Sequence, residues 1–486
     1  MNKLSHLEPM ALWKYFEQLN AVPRPSKKEE RVRQFMVDFG NKHGLETIVD
    51  AIGNVIIKKG ASSGMEKAKT VILQSHLDMV HQKNNATVFD FDQQGIDMIV
   101  EGDWIRANGT TLGADNGIGV AAIMAVLASD NIKHPALEAL FTIDEETGMT
   151  GAKELDGRLF NGEILLNLDT EDDDELSVGC AGGIDTNTSY AYQEIAVKNG
   201  SHIVEITING LLGGHSGMDI DKGRGNANKL MARLIWKLAK QVPLQLISFD
   251  GGSLRNAIPR EAVAVIAIAE GQETMAKDAL HKEGAIFLEE YKAIESFFKI
   301  SVNSIKTDEK AMSDSDFNNV INCLCSIQNG VFRMSPDIIG LVEASSSLAR
   351  VIIKNGSFTT QSLQRSSVES TKDEVAMSIR ANFELIGATV TQGGDYPGWK
   401  PNTNSKILQV MREIYLELFQ EEPKVKACHA GLECGILGLH LPAVDMISFG
   451  PNIRAAHSPD EKVQLSSVQK FWGFYLKTLA QIPEKA

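Results

Sequence analysis

The sequence predicts an α/β protein, a mainly parallel-sheet domain with a second, α+β unit inserted into it. Three observations carry this expectation. Short apolar runs at residues 71–74, 137–143 and 164–168 alternate with helical stretches, the pattern of buried parallel strands and their crossovers. Past the glycines at 179–183 the texture shifts to half-exposed strands, at 203–208 and 263–268, with a helix between them at 227–238. A buried-strand pattern then returns at 444–449, near the end of the chain. The first domain is therefore expected to comprise residues 1–185 and 395–486, and the insertion residues 186–394.

In chain order, residues 117–129 read as a small-residue helix built on Ala121, Ala122, Ala125 and Ala128. The insertion adds a long helical segment near 274–296 and further strands at 350–353 and 375–383, whereas 301–329 has no readable pattern. Gly393-Gly394-Asp395-Tyr396-Pro397-Gly398 is a turn-rich hinge candidate, and 406–419 is an amphipathic helix.

At 486 residues the chain exceeds one ordinary core, and 43% hydrophobic with 23% charged residues is a globular composition. A net charge of -15 argues against nucleic-acid and anionic-membrane partners, which need a basic face. Carboxylates gathered around divalent cations would contribute to that charge. Residues 1–20 lack a basic segment followed by an apolar run, so no signal peptide is expected, and no run approaches the ~18 apolar residues of a membrane span. The cysteines (Cys180, Cys323, Cys325, Cys428 and Cys434) are odd in number and scattered, which suits reduced thiols in a cytoplasm.

Acidic and histidine residues collect where the predicted parallel strands end, the place where chemistry gathers in such sheets. Ser75-His76-Leu77-Asp78 sets a histidine and an aspartate two positions apart, suiting a metal ligand and the carboxylate that orients it, or simply a capped strand end. Gly109-Thr110-Thr111-Leu112-Gly113-Ala114-Asp115-Asn116-Gly117 allows unusual backbone angles around Asp115, which could equally be a helix N-cap. Asp144-Glu145-Glu146 follows a very apolar run, so its mutual repulsion calls for a nearby cation or full solvation. Asp169 follows another such run, and His457-Ser458-Pro459-Asp460-Glu461 lies far downstream. Two histidines and three carboxylates form a nitrogen/oxygen set suited to Zn²⁺, Co²⁺ or Mn²⁺. Five ligands exceed one catalytic zinc and suffice for two ions if one carboxylate bridges.

The order His-x-Asp, Gly-Ala-Asp-Asn, Glu-Glu, Asp and C-terminal His resembles the co-catalytic zinc aminopeptidase/carboxypeptidase clan, in particular its bacterial aminoacyl-histidine dipeptidase branch. The resemblance extends through Ala181-Gly182-Gly183-Ile184-Asp185, Gly213-Gly214-His215-Ser216-Gly217, Arg255-Asn256-Ala257-Ile258-Pro259-Arg260 and His429-Ala430-Gly431-Leu432-Glu433-Cys434-Gly435. It implies a metallopeptidase catalytic domain with a lid and dimerisation insertion, and two divalent ions, zinc first with cobalt or manganese as substitutes. It further implies that Asp115 bridges the ions, that His76 and Asp169 complete one site, and that Glu146 and His457 complete the other. Glu145 would be the general base; residue order alone leaves Glu145 and Glu146 interchangeable, and the resemblance chooses between them. Asp78 would orient His76, and a cis peptide is expected at Asp115-Asn116.

From the insertion, Asn256 and Arg365 resemble a pair that binds the substrate carboxylate, and His215 resembles the lid histidine that reaches the oxyanion. In dimeric relatives that histidine comes from the partner chain, so a homodimer through the lid is expected. Glu433 is a candidate for the substrate α-amine. The implied activity is hydrolysis of unblocked dipeptides, including Xaa-His substrates such as carnosine, in the cytoplasm. Two other readings stand beside it: an N-acyl amino acid deacylase or carboxypeptidase of the same clan, which shares the metal scheme, and a non-catalytic peptide-binding scaffold. The scaffold reading expects lost ligands, and none is lost.

Overall fold

The computed structural model describes Leu4 and residues 6–485. Two compact units emerge. The first comprises Met1–Gly179, Trp399–Ala427 and Leu432–Ala486; the second comprises Cys180–Gly398 and Cys428–Gly431.

The first unit is built on an eight-stranded sheet. Its centre is parallel: Val71–His76 pairs with Leu137–Thr142 on one side and Ile164–Asn167 on the other, and Ile164–Asn167 pairs in turn with Asp445–Ser448. These strands are largely apolar and largely buried because both faces are covered, with polar residues gathered toward their carboxyl ends. Val55–Lys59 joins antiparallel beyond Leu137–Thr142, and Glu175–Cys180 joins antiparallel beyond Asp445–Ser448, so the sheet is mixed at its margins. The register sets His76 opposite Thr142 and Gln74 opposite Asn167, which aligns the carboxyl ends of three strands.

Helix Ala114–Leu127 is buried on nearly every side, consistent with its run of small and apolar residues from Gly117 onward. It starts earlier than the expected 117, and it is preceded by Gly113 rather than capped by Asp115, whose backbone is non-helical (φ -82°, ψ 109°). A small four-stranded sheet completes the unit. In it Lys462–Gln464 pairs with both Ile453–Arg454 and Trp104–Ala107. That pairing brings the hairpin carrying His457 and Glu461 beside the chain that leads into Gly109–Asp115.

The second unit is a nine-stranded sheet whose strands pair antiparallel, with helices Ala227–Ala239, Glu273–Tyr291, Asp314–Ser326 and Glu369–Glu384. Its core contains Phe249, Phe287, Phe358 and Phe383.

Three expectations are corrected here. Residues 375–383 are helical, inside Glu369–Glu384. Its buried Val375, Ala376, Ile379 and Phe383 recur at helical spacing, a period that strand-forming composition obscured. The hinge candidate belongs largely to strand Thr389–Tyr396, paired with Gly182–Ala191. The strand expected at 350–353 is the end of the much longer Val342–Lys354, whose Ser345, Ser346 and Ser347 are polar yet buried.

Candidate metal centre

His76 is the last residue of its strand and is buried. Its Nδ1 lies 3.1 Å from the Asp78 carbonyl oxygen and 3.4 Å from Asp78 Oδ1, which leaves Nε2 turned the other way. Nε2 stands 3.2 Å from Asp115 Oδ1 and 3.6 Å from Asp169 Oδ1. On the opposite side of the Asp115 carboxylate, His457 Nε2 lies 3.2 Å from Oδ2 and 2.9 Å from Glu146 Oε2. Donor atoms of His76, Asp115 and Glu146 all fall within 4.8 Å of one another. Residues from three strand ends, a helix start and a distant hairpin thus meet around one carboxylate.

Several polar groups hold this arrangement. Asp78 is fully buried; its Oδ1 accepts the Glu145 N–H at 3.0 Å and its Oδ2 accepts the Glu146 N–H at 3.2 Å and the Ser26 hydroxyl at 2.8 Å. One aspartate therefore aligns His76 and anchors the backbone of both glutamates. Asn116 donates through Nδ2 to the Leu168 carbonyl at 2.8 Å and to the Asp169 carboxylate, tying the Asp115 loop to the third strand end. The Asp115-Asn116 peptide is cis. Glu433 opens helix Glu433–His440, and its Oε2 accepts from Gln74 Nε2 at 2.6 Å and from Thr142 Oγ1 at 2.8 Å.

The electrostatics are those of too many acids in one dry place. Burial pushes the carboxyl of Glu145 well above the ordinary range; the charges of Glu433, Glu146 and Asp115 add to this against the opposing pull of His76. Asp169 is raised in the same way, by burial and then by Asp115 and Glu145. Burial also carries Glu433 to about 7. At Asp115 the hydrogen bonds from His457 and His76 overcome burial and hold the carboxyl low. His457 is raised to about 11 by its hydrogen bonds to Asp115 and Glu146. Within the described residues, the positive groups set against these carboxyls are His76 and His457, with Arg24 acting on Asp115 and Glu146. The buried Oε1 of Glu146 accepts no hydrogen bond from the described residues. A carboxylate-rich, imidazole-containing set with an unused buried oxygen fits divalent cations.

In the second unit, His215 Nδ1 accepts the N–H groups of Gly217 and Met218 at 3.1 and 3.0 Å. Its proton therefore sits on Nε2, which faces Arg365 Nη2 at 3.5 Å. Both atoms are donors, so two N–H groups converge with no acceptor between them. Arg365 is buried and also donates to the Tyr396 hydroxyl at 2.7 Å. Burial, with Arg365 adding to it, pushes His215 down to about 4. Asn256 is exposed, and its carbonyl accepts the Ser216 N–H at 2.8 Å, beside the His215 loop.

The model of peptidase family M20/M25/M40 matches residues 72–481, a span that holds every residue of the site except Arg24 and Ser26. The chain belongs to this family. It is 41% identical to the cytosol non-specific dipeptidase of Escherichia coli (strain K12) over 485 residues, the full length of both chains. The crystal structure of aminoacylhistidine dipeptidase from Vibrio alginolyticus superposes with a TM-score of 0.94 at 42% identity, covering 100% of this chain and 99% of that one. A Bacillus cereus aminopeptidase shares the fold alone, at a TM-score of 0.57 and 15% identity over 98% of this chain and 99% of that one. The M20 peptidases are metal-dependent hydrolases of peptide bonds, and the donor set described above suits that chemistry.

Some contributors had no assigned role in the sequence reading. Ser26, Asn116 and Tyr396 act through side-chain contacts to Asp78, Asp169 and Arg365. Arg24 and Glu461 act on backbone atoms, for which residue spacing gives no signal.

Proposed function

We propose that this M20 peptidase is a dipeptidase that cleaves unblocked dipeptides, Xaa-His among them, and that it uses two divalent ions, zinc first with cobalt or manganese as substitutes. The observation that carries the proposal is the Asp115 carboxylate, bracketed by His76 on one oxygen and His457 on the other. The names of the Escherichia coli and Vibrio alginolyticus relatives point the same way.

In this reading His76 and Asp169 hold one ion, Glu146 and His457 hold the other, and Asp115 serves both. When bound, the ions supply Lewis acidity at the scissile carbonyl and make water acidic near neutral pH. Glu145 takes a proton from the attacking water and returns it to the departing amine nitrogen, which would otherwise leave as an unstable anion. Its backbone, held by Asp78, fixes where that carboxylate starts from. Asp78 also engages His76 at Nδ1, keeping Nε2 free as the ligand atom. His215 presents its Nε2–H to the oxyanion that develops on the substrate carbon. Arg365 and Asn256 take the C-terminal carboxylate of the dipeptide. Glu433, with Oε1 free of hydrogen bonds from the described residues, takes the α-ammonium. We further assign the insertion the role of a lid and homodimer contact, and the protein a cytoplasmic place. Among the described residues no helix is long and apolar enough to cross a membrane.

The test is metal analysis of the purified protein together with hydrolysis of Gly-His and N-acetyl-His. About two ions per chain, cleavage of Gly-His and its loss on chelation are expected. Turnover of N-acetyl-His alone, with Gly-His untouched, would make the protein a deacylase instead.

A further inference from the structure

The Gly113 peptide is gripped from both sides by buried charges. Arg24, 1% exposed, donates through Nη2 to the Gly113 carbonyl at 2.6 Å. Through Nη1 it donates to the carbonyls of Leu77 and Asp78, at 3.0 and 3.1 Å. Glu461, 2% exposed, accepts four consecutive backbone N–H groups. Its Oε2 takes Leu112 at 2.7 Å and Gly113 at 3.0 Å, and its Oε1 takes Ala114 at 2.7 Å and Asp115 at 3.2 Å.

The local sequence is shaped to admit these groups. Gly113 has φ 70°, and a Cβ there would lie 2.5 Å from Arg24 Nη2 and 2.9 Å from the Met79 sulfur. A Cβ at Gly117 would lie 2.7 Å from the same Arg24 nitrogen. Successive N–H groups at the start of a helix form an anion-binding concavity, and here a side-chain carboxylate fills it. Arg24 also donates through Nη2 to the Asn20 side chain at 3.1 Å, and two buried charges engaged in this way are costly unless they fix a geometry.

We propose that Arg24 and Glu461 are positioning residues that together clamp the Asp115 loop and set the spacing among His76, Asp115 and His457. Arg24 ties the strand end of His76 and Asp78 to Gly113. Glu461 ties Gly113 and Asp115 to the hairpin that carries His457. Neither touches the reacting atoms. The inference rests on the metal reading of these three residues.

The experiment is titration of full-length, metal-free protein with Zn²⁺ against a chromophoric competing chelator. It compares wild type with Glu461→Gln, Glu461→Asp, Arg24→Lys and the Arg24→Lys/Glu461→Gln double variant, and thermal unfolding of each metal-free form is recorded alongside. Loss of a group that orients ligands is expected to weaken binding of at least one ion by about 10–100-fold. The double variant is expected to lose little beyond the worse single one, because both act on one peptide. Glu461→Asp keeps the charge but shortens the reach, and it carries the same comparison if Glu461→Gln does not fold. A merely structural role would lower the metal-free Tm and leave the affinity of folded protein within about twofold of wild type; that result overturns the inference alone. Wild type that binds no zinc overturns the metal reading, and the inference with it.

Discussion

His76 and Asp78 meet at 3.4 Å, Nδ1 to Oδ1, with both side chains withdrawn from solvent. Alternate residues at a strand end share a face, so the spacing in Ser75-His76-Leu77-Asp78 already places them together. The structure gives the aspartate more work than that spacing suggests. Its two oxygens also accept from Ser26 and from the backbone of Glu145 and Glu146, so a single carboxylate connects two strand ends.

Asp78→Ala is accordingly expected to be among the most damaging changes in the first unit. It strands the part-buried N–H groups of Glu145 and Glu146, each of which costs roughly 1–3 kcal/mol when left unpaired, and leaves the Ser26 hydroxyl only its longer bond to the Met79 carbonyl. A loss of about 3 kcal/mol or more in urea unfolding of the metal-free protein is expected. Asp78→Asn, which keeps the volume and one acceptor, should lose less. Equal stability of Asp78→Ala and wild type would show that the network bears no weight.

Glu145→Gln tests the general base. The amide preserves shape and removes the proton acceptor, so kcat should fall by about 10²–10⁴-fold. Bound metal should stay near the wild-type content, because the ligands proposed are the neighbouring Glu146 and the four others. Loss of metal together with activity would move Glu145 into the ligand set and leave the base unassigned.

What the sequence made legible follows from where chemistry sits in a parallel sheet. His76, Asp144, Glu145, Glu146 and Asp169 stand directly after apolar runs, and the aligned register of those strands brings them to one edge. Other features were hidden for physical reasons. Strand Val342–Lys354 buries Ser345, Ser346 and Ser347 opposite Arg365, Gln364 and Leu363, so a search for apolar runs sees only its end. Arg24 and Glu461 bond almost wholly to backbone, and backbone partners leave no mark on composition. His457 has positive φ in a short hairpin loop, and only the pairing of Lys462–Gln464 with Trp104–Ala107 carries it to Asp115.

His429 supplies a pH dependence. It is buried, its Nε2 lies 2.8 Å from Ser345 Oγ, and burial with the nearby charge of Arg365 pushes it down to about 3. The unfolded chain takes up this proton as pH falls below about 6.5, whereas the folded chain resists until near 3. Stability from this group is therefore present above 6.5 and lost as pH falls through the window between the two values. At pH 5 the loss should be about 2 kcal/mol. His429→Gln, which does not titrate, should lose correspondingly less stability between pH 7.5 and 5 in matched urea titrations. Parallel losses in both proteins would assign the acid sensitivity to other groups.

Arg365→Lys addresses substrate recognition in the second unit. The guanidinium spends one nitrogen on the Tyr396 hydroxyl and faces the Nε2–H of His215 with another, two donors with no acceptor between them. In the proposed roles the His215 N–H is kept for the oxyanion and the second guanidinium nitrogen for the substrate carboxylate, and a planar fork can hold Tyr396 and a carboxylate together in a way that a single ammonium cannot. Lysine keeps the charge and loses the fork, so a hydrogen bond to a charged group, about 1.5–3 kcal/mol, should disappear from substrate binding. KM for Gly-His is expected to rise by roughly 10–100-fold with a smaller change in kcat. A dipeptide amide, which lacks the terminal carboxylate, should be hydrolysed about equally by both proteins. If Arg365→Lys weakened the amide as much as the free acid, the arginine would be supporting the local structure, and the carboxylate contact would have to be sought elsewhere in the chain.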